Sequence, residues 1–246
     1  MATNKDIKYP RLRRIYVWEL PVRIYHWLNA LLILVLAITG YLIGNPPGIQ
    51  SSAEASDQFL FGWIRYIHFG AAYLFLFNLV FRTFWGFVGN KYARWYYFLP
   101  KKRKFFSEIG KVLKIDILLS KGEHLNIGHN ALAGLSYFFF FLACVIQIIT
   151  GFGLYENMSD WWFPQLFTWV AGIFGGDFGL RNWHHTTMWF FAIFTLIHVY
   201  LVFYHDYVEG RGEISSMAGG WKFIEEKTFE NEEFKRVAKE EKETVS

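Results

Sequence analysis

Neutral imidazole is a versatile transition-metal ligand, and this 246-residue chain carries eight histidines. His26 sits in Arg-Ile-Tyr-His-Trp, His68 in Tyr-Ile-His-Phe-Gly, His184 and His185 side by side, and His198 further along the same apolar run. His184 and His198 are fourteen residues apart, close to four helical turns. On a helix both rings therefore project from one face, at depths about 21 Å apart. His185, thirteen residues from His198, points well round the helix, so the spacing selects His184. Helices of opposite direction supply the partners: His68 level with His184 near one membrane surface, His26 level with His198 near the other. A lone histidine in an apolar run is more often structural; two matched pairs argue for ligation.

The donor set narrows the cofactor. Zinc wants three or four ligands closing a tetrahedron, and neither pair has a Cys, Asp or Glu at its depth. Haem needs two axial nitrogens, apolar and aromatic walls, and water or arginine for its propionates. Two haem b groups are expected. The one cysteine, Cys144, excludes an internal disulfide, a four-thiolate iron–sulfur cluster and a Cys-x-x-Cys-His haem attachment. Gly40, fourteen residues after His26, falls on the His26 face at the outer depth, where a missing side chain admits a macrocycle; close helix packing is the alternative. Arg82, fourteen after His68, is expected in the environment of the inner haem, with snorkelling as its alternative. Thr39-Gly40-Tyr41 and Thr150-Gly151-Phe152 hint at an internal repeat.

Four helices must position these residues. Apolar residues make up 53% of the chain and aromatic residues 21%, and the mean hydropathy is +0.18. Uncharged runs cover 24–43, 130–155 and 182–205, and a fourth, 63–88, carries Arg65 and Arg82 near its ends. Each can span about 30 Å of hydrocarbon. The expectation is an all-α integral membrane protein, a four-helix transmembrane bundle occupying 1–220, followed by a charged cytoplasmic tail, 221–246. No cleavable signal is read in the leader, so the first helix is expected to stay. Basic residues crowd the leader and the second connection, while the other two connections hold Glu54, Asp57, Glu156, Asp160 and Asp177 against a single Arg181. The positive-inside rule then makes both termini cytoplasmic and turns the other loops to the periplasm.

The stretch 161–176 is short, Trp-dense and contains Pro164, so it is expected to lie as a helix on the outer face. Were it a span, the last helix would reverse and His184 would leave the level of His68. A basic amphipathic helix on the lipid surface is expected over 100–122.

The fragments PVRIYHWLNALLILVLAITGYLIG, IRYIHFGAAYLFLFNLVFRTFWGFVGNKYAR, IGHNALAG, IITGFGLY, NWHHTTMW, HVYLVFYHD and ISSMAGG occur in that order. The chain closely resembles the cytochrome b subunit of membrane-bound NiFe hydrogenases, itself related to the gamma subunit of membrane formate dehydrogenase. The resemblance implies a dihaem four-helix bundle in the bacterial inner membrane. It implies axial ligands His26, His68, His184 and His198, hydrogenase small and large subunits on the periplasmic side, and quinone as electron acceptor near the inner haem. His129 matches a family motif without a ligand role, suiting a loop-anchoring hydrogen bond; His205 departs from the pattern. Polar groups expected near the inner haem, and so for quinone, are Tyr25, Asn29, Arg82, His205 and Asp206. Trp161, Trp162 and Phe163 suit a contact surface for the partner subunits. The chain is not expected to be an enzyme by itself, since it lacks the cysteines of a NiFe centre, nor to meet nucleic acid. Competing readings are a cytochrome b for another periplasmic dehydrogenase such as formate dehydrogenase, an ion or proton transporter with functional histidines, and a plain membrane anchor.

Overall fold

The computed structural model describes residues 11–48, 59–95, 131–210, 212–226 and 229–230. The expected helix 100–122, His129 and the tail beyond residue 230 lie outside the described residues. In chain order the elements are β1 (Leu12–Tyr16), α1 (Leu20–Gly44), α2 (Leu60–Val88), α3 (Ala131–Tyr155), a 3-10 turn (Glu156–Met158), α4 (Trp162–Gln165), α5 (Val170–Ile173), α6 (Gly176–Glu209), α7 (Glu213–Gly219) and β2 (Trp221–Glu225). Four of them, α1, α2, α3 and α6, are long and apolar enough to cross a membrane.

Two of the four begin well before the uncharged runs do. Pro21 near the start of α1 suits a first turn, whose N–H groups have no helical partner anyway. Asp177 stands in the first turn of α6, where a carboxylate is favoured by the helix dipole. Charges that bound a hydrophobic run therefore do not bound the helix.

The helices form two antiparallel pairs: α1 packs along α2 and α3 along α6, and the pairs meet through α1 with α6 and α2 with α3. Between them lies a core of Leu32, Ala71, Phe75, Leu79, Ala143, Cys144 and Phe191, in which Ala71, Ala143 and Cys144 are small enough to let backbones approach. The outward faces carry exposed Leu34, Ile38, Phe77, Phe84, Ile193 and Leu196. Such a surface is a liability in water and the expected one in lipid.

β1 and β2 pair antiparallel, Leu12 opposite Glu225 and Tyr16 opposite Trp221. Both ends of the bundle are thereby fixed on one side, here the near end, which requires an even number of crossings. The near end is also tied laterally. Glu19 accepts hydrogen bonds from Trp85 Nε1 (3.0 Å) and the Asn90 backbone (2.8 Å), the Arg23 guanidinium donates to the Ala218 carbonyl, and Trp27 Nε1 donates to the Met217 carbonyl at 3.0 Å.

Two expectations are corrected. The charged tail does not begin at 221, because Trp221–Glu225 is a strand with alternating burial. Lys222 points inward to pair with Glu213 at 2.7 Å, and Ile224 is buried beside it in the sheet. That period of two is hidden inside a Lys- and Glu-rich composition. The stretch 161–176 is two single helical turns, α4 and α5, rather than one helix lying flat. Phe163 and Phe167 pack on Phe152 of α3, with ring centroids 5.1 and 5.3 Å away, Val170 is fully buried, and left-handed Gly175 and Gly176 turn the chain into α6. Anchoring these rings on the end of α3 takes precedence over a continuous helical path.

Candidate functional site

At the near end, His26 on α1 and His198 on α6 face each other with ring centroids 6.2 Å apart. Two imidazoles that share one metal at ~2 Å from a nitrogen of each have ring centres roughly 6 Å apart, a separation this pair matches. His198 stacks on Phe194, at 5.7 Å and 9°. His26 Nδ1 is buried without a hydrogen-bond partner, a condition that native structures usually avoid unless a ligand or solvent completes it.

At the far end, the two Thr-Gly pairs each receive a histidine. Thr39 Oγ1 lies 2.8 Å from His68 Nδ1, and a Cβ on Gly40 would stand 3.2 Å from the Cε1 atom of the same ring. Thr150 Oγ1 lies 2.9 Å from His184 Nδ1, and a Cβ on Gly151 would stand 3.1 Å from its Cε1 atom. The space at Gly40, expected for a macrocycle, is taken by the His68 imidazole, because α1 and α2 pack closely there. His184 also meets the Gln147 amide nitrogen, 3.1 Å from its Nε2; iron at Nε2 requires that amide to turn aside. His185 instead lies over Gly44, where a Cβ would collide with its ring. Inward from these residues is a small cavity of about 30 Å³ lined by Ile33, Leu36, Ala37, Phe75, Gln147, Met188 and Phe191. Its walls are apolar apart from the one amide.

Arg82 does not snorkel. It is 1% exposed, donates from Nη2 to the Ala93 carbonyl at 3.0 Å, and holds its guanidinium carbon 5.2 Å from the ring centroids of Trp95 and Tyr137 and 5.9 Å from that of Tyr25. Asn78 Nδ2 donates to the Tyr25 carbonyl at 3.2 Å and lies 3.4 Å from Asn29 Oδ1. Tyr25, Asn29 and Arg82 thus belong to one buried polar cluster. Asp206 and His205 lie elsewhere, at the end of α6: Asp206 Oδ1 accepts from the Ile214 backbone at 3.3 Å, and His205 meets Tyr204 edge-on at 5.5 Å. Gln147, Asn78, Trp95 and Tyr137 escape sequence reasoning. Nothing in their local sequence marks them, and they matter only once the helix pairing is known.

Among the described residues no three or more His, Cys, Asp or Glu side chains gather as a metal-ion site, and His26 and His198 meet as a pair of imidazoles. That is the donor chemistry of axial haem ligation, and the cradled rings and the His26–His198 spacing fit it.

The family model for prokaryotic cytochrome b561 matches residues 17–220. The chain is similar to a probable Ni/Fe-hydrogenase B-type cytochrome subunit of Azotobacter vinelandii, 40% identical over 86% of this chain and 90% of that one. A protein of the same description from Cupriavidus necator is 38% identical over 90% of each chain. The probable Ni/Fe-hydrogenase 1 B-type cytochrome subunit of Escherichia coli K12 is 38% identical over 84% of this chain and 90% of that one. With four apolar helices, histidines at both ends of the bundle and a family match over residues 17–220, the chain belongs to the prokaryotic cytochrome b561 family.

Proposed function

We propose that the chain is the dihaem b membrane subunit of a Ni/Fe hydrogenase, an electron relay between the iron–sulfur chain of the periplasmic hydrogenase subunits and membrane quinone. The observation that carries this reading is the His26–His198 pair, two imidazoles from different helices with centroids 6.2 Å apart. The names of the relatives, B-type cytochrome subunits of Ni/Fe hydrogenases, supply the partner.

His26 and His198 hold one haem and His68 and His184 the other. Bound haem supplies reversible one-electron chemistry at iron. The protein fixes the imidazoles, keeps apolar side chains around the macrocycles, and offers a buried cation, Arg82, close to the Tyr25 ring. Gly40 leaves room for the His68 ring. The basic leader sets the near end, with both termini, in the cytoplasm of a bacterial inner membrane. The far-end loops, with exposed Trp161 and Trp162, then face the hydrogenase small and large subunits. Quinone is assigned to the near end, with Tyr25 and Asn29 of the buried cluster as its first candidate polar groups and His205 and Asp206, at the end of α6, as separate ones.

The test is a reduced-minus-oxidised spectrum with a pyridine haemochrome assay on the purified chain, beside His68→Ala and His198→Ala. Two b haems per chain are expected, a different one lost in each variant. Folded protein without haem overturns the reading.

A further inference from the structure

Resting on that ligand assignment, we infer that Thr39 and Thr150 are positioning residues that fix the tautomer and the ring orientation of His68 and His184. A threonine hydroxyl has one proton to give. Thr39 Oγ1 lies 2.7 Å from the Val35 carbonyl and Thr150 Oγ1 2.8 Å from the Ile146 carbonyl. A carbonyl can only accept, so each hydroxyl proton is committed to its own helix. The imidazole nitrogens at 2.8 and 2.9 Å must then be the donors: Nδ1–H of His68 to Thr39 and Nδ1–H of His184 to Thr150. With the proton held on Nδ1, Nε2 of each ring would be the nitrogen available to iron, that of His184 once the Gln147 amide 3.1 Å away turns aside.

The glycine after each threonine completes the device. Its missing Cβ lets the ring lie against the helix, at 3.2 Å for Gly40 and 3.1 Å for Gly151, so the hydroxyl reaches Nδ1 while the ring is wedged from one side. Both threonines are buried, at 8% and 0% exposure, so water does not compete as acceptor. The same geometry, built twice from the same dipeptide on different helices, is poorly explained as packing alone. His185 has a glycine, Gly44, against its ring but no threonine before it.

The experiment uses the full chain with its haems, as Thr39→Val, Thr39→Ser, Thr150→Val and Thr150→Ser. Haem transfer to excess apomyoglobin is followed in the visible spectrum, and the ferric haem signals by low-temperature paramagnetic resonance. Loss of such an outer partner weakens metal sites about 10–100-fold. Each valine variant is therefore expected to release the His68/His184 haem about 10–100-fold more readily and to shift its resonance, leaving the His26/His198 haem unchanged, and serine is expected to restore both. Valine variants whose two haems match the parent in retention and resonance overturn the proposal.

A second measurement needs no variant that might misfold. Nitrogen-15 spectra of histidine-labelled, dithionite-reduced parent report the tautomer directly, and a proton on Nε2 of either His68 or His184 overturns the proposal. Since the ring tautomer is read whether or not haem is present, failure of the haem reading itself appears separately, as a parent lacking two b haems.

Discussion

The pair α1/α2 and the pair α3/α6 share one end and differ at the other. At the far end, Thr39-Gly40 receives His68 across the first pair and Thr150-Gly151 receives His184 across the second, at 2.8 and 2.9 Å. At the near end, thirteen residues before Thr39 stands His26, and thirteen before Thr150 stands Tyr137. Fourteen after His184 stands His198, and fourteen after His68 stands Arg82. The contacts follow the same exchange. Helix α1 meets α6 through His26 and His198, and α2 meets α3 through Arg82 and Tyr137, 5.2 Å from guanidinium carbon to ring centroid. Each helix pair thus places one histidine against a Thr-Gly step at the far end, His68 in the first and His184 in the second. At the near end, one interface keeps both histidines while its counterpart has a cation over an aromatic ring. Under the proposed ligand assignment, that asymmetry would give two haem positions rather than one or three.

The largest effect that can break this correspondence separates His184 from His185. If His184 is the counterpart of His68, His184→Ala removes one of the two haems and His185→Ala removes none, counted by pyridine haemochrome on purified protein. The opposite result would show that the Thr-Gly repeat does not mark the ligands. Next comes the near-end counterpart. Arg82 is buried against three rings, so Arg82→Ala leaves a void and loses the cation–ring attraction, about 3 kcal/mol together. Thermal unfolding in detergent should fall accordingly while two haems remain bound. Tyr137→Phe, which keeps the ring beneath the cation, should cost far less. A parent-like unfolding temperature for Arg82→Ala would mean that this interface is not held by the cation that replaces a histidine.

Much of this arrangement is legible in the sequence, for identifiable reasons. Four spans are readable because lipid requires long uncharged helices, and the fourteen-residue interval between His184 and His198 is readable because helical period converts it to depth. The Thr39-Gly40 and Thr150-Gly151 repeat is visible too. Its meaning is not, because a hydroxyl and an imidazole 29 or 34 residues apart in sequence meet only once the antiparallel pairing is known. The burial of Arg82 is hidden for the same reason, since Trp95 and Tyr137 come from outside its helix. β2 is lost in a charged composition, because Lys222 is an inward-facing strand residue whose partner, Glu213, lies in α7. The break between α4 and α5 depends on Phe152 of α3, which no local pattern announces.

The smallest effect concerns how each near-end interface is held. The clamp of α7 and β2 braces α1 against the end of α6 through Arg23 to Ala218 and Trp27 to Met217, which is the His26–His198 side. The described residues of the clamp make no such tie between α2 and α3. Lys222 fastens the clamp, its ammonium 2.7 Å from Glu213 and 5.6 Å from the Trp18 ring. Glu213 keeps 28% of its side-chain exposure, so Lys222→Ala leaves a carboxylate that water can still reach, and the loss should be about 1 kcal/mol. If the two interfaces are held differently, that small loss is directional. Haem at His26/His198 should be released a few-fold faster, on the order of RT per unit of logarithm, while haem at His68/His184 keeps the parent rate. Equal acceleration of both would mean that the clamp supports the bundle as a whole. No acceleration of either would mean that the helix contacts alone keep His26 and His198 at their spacing.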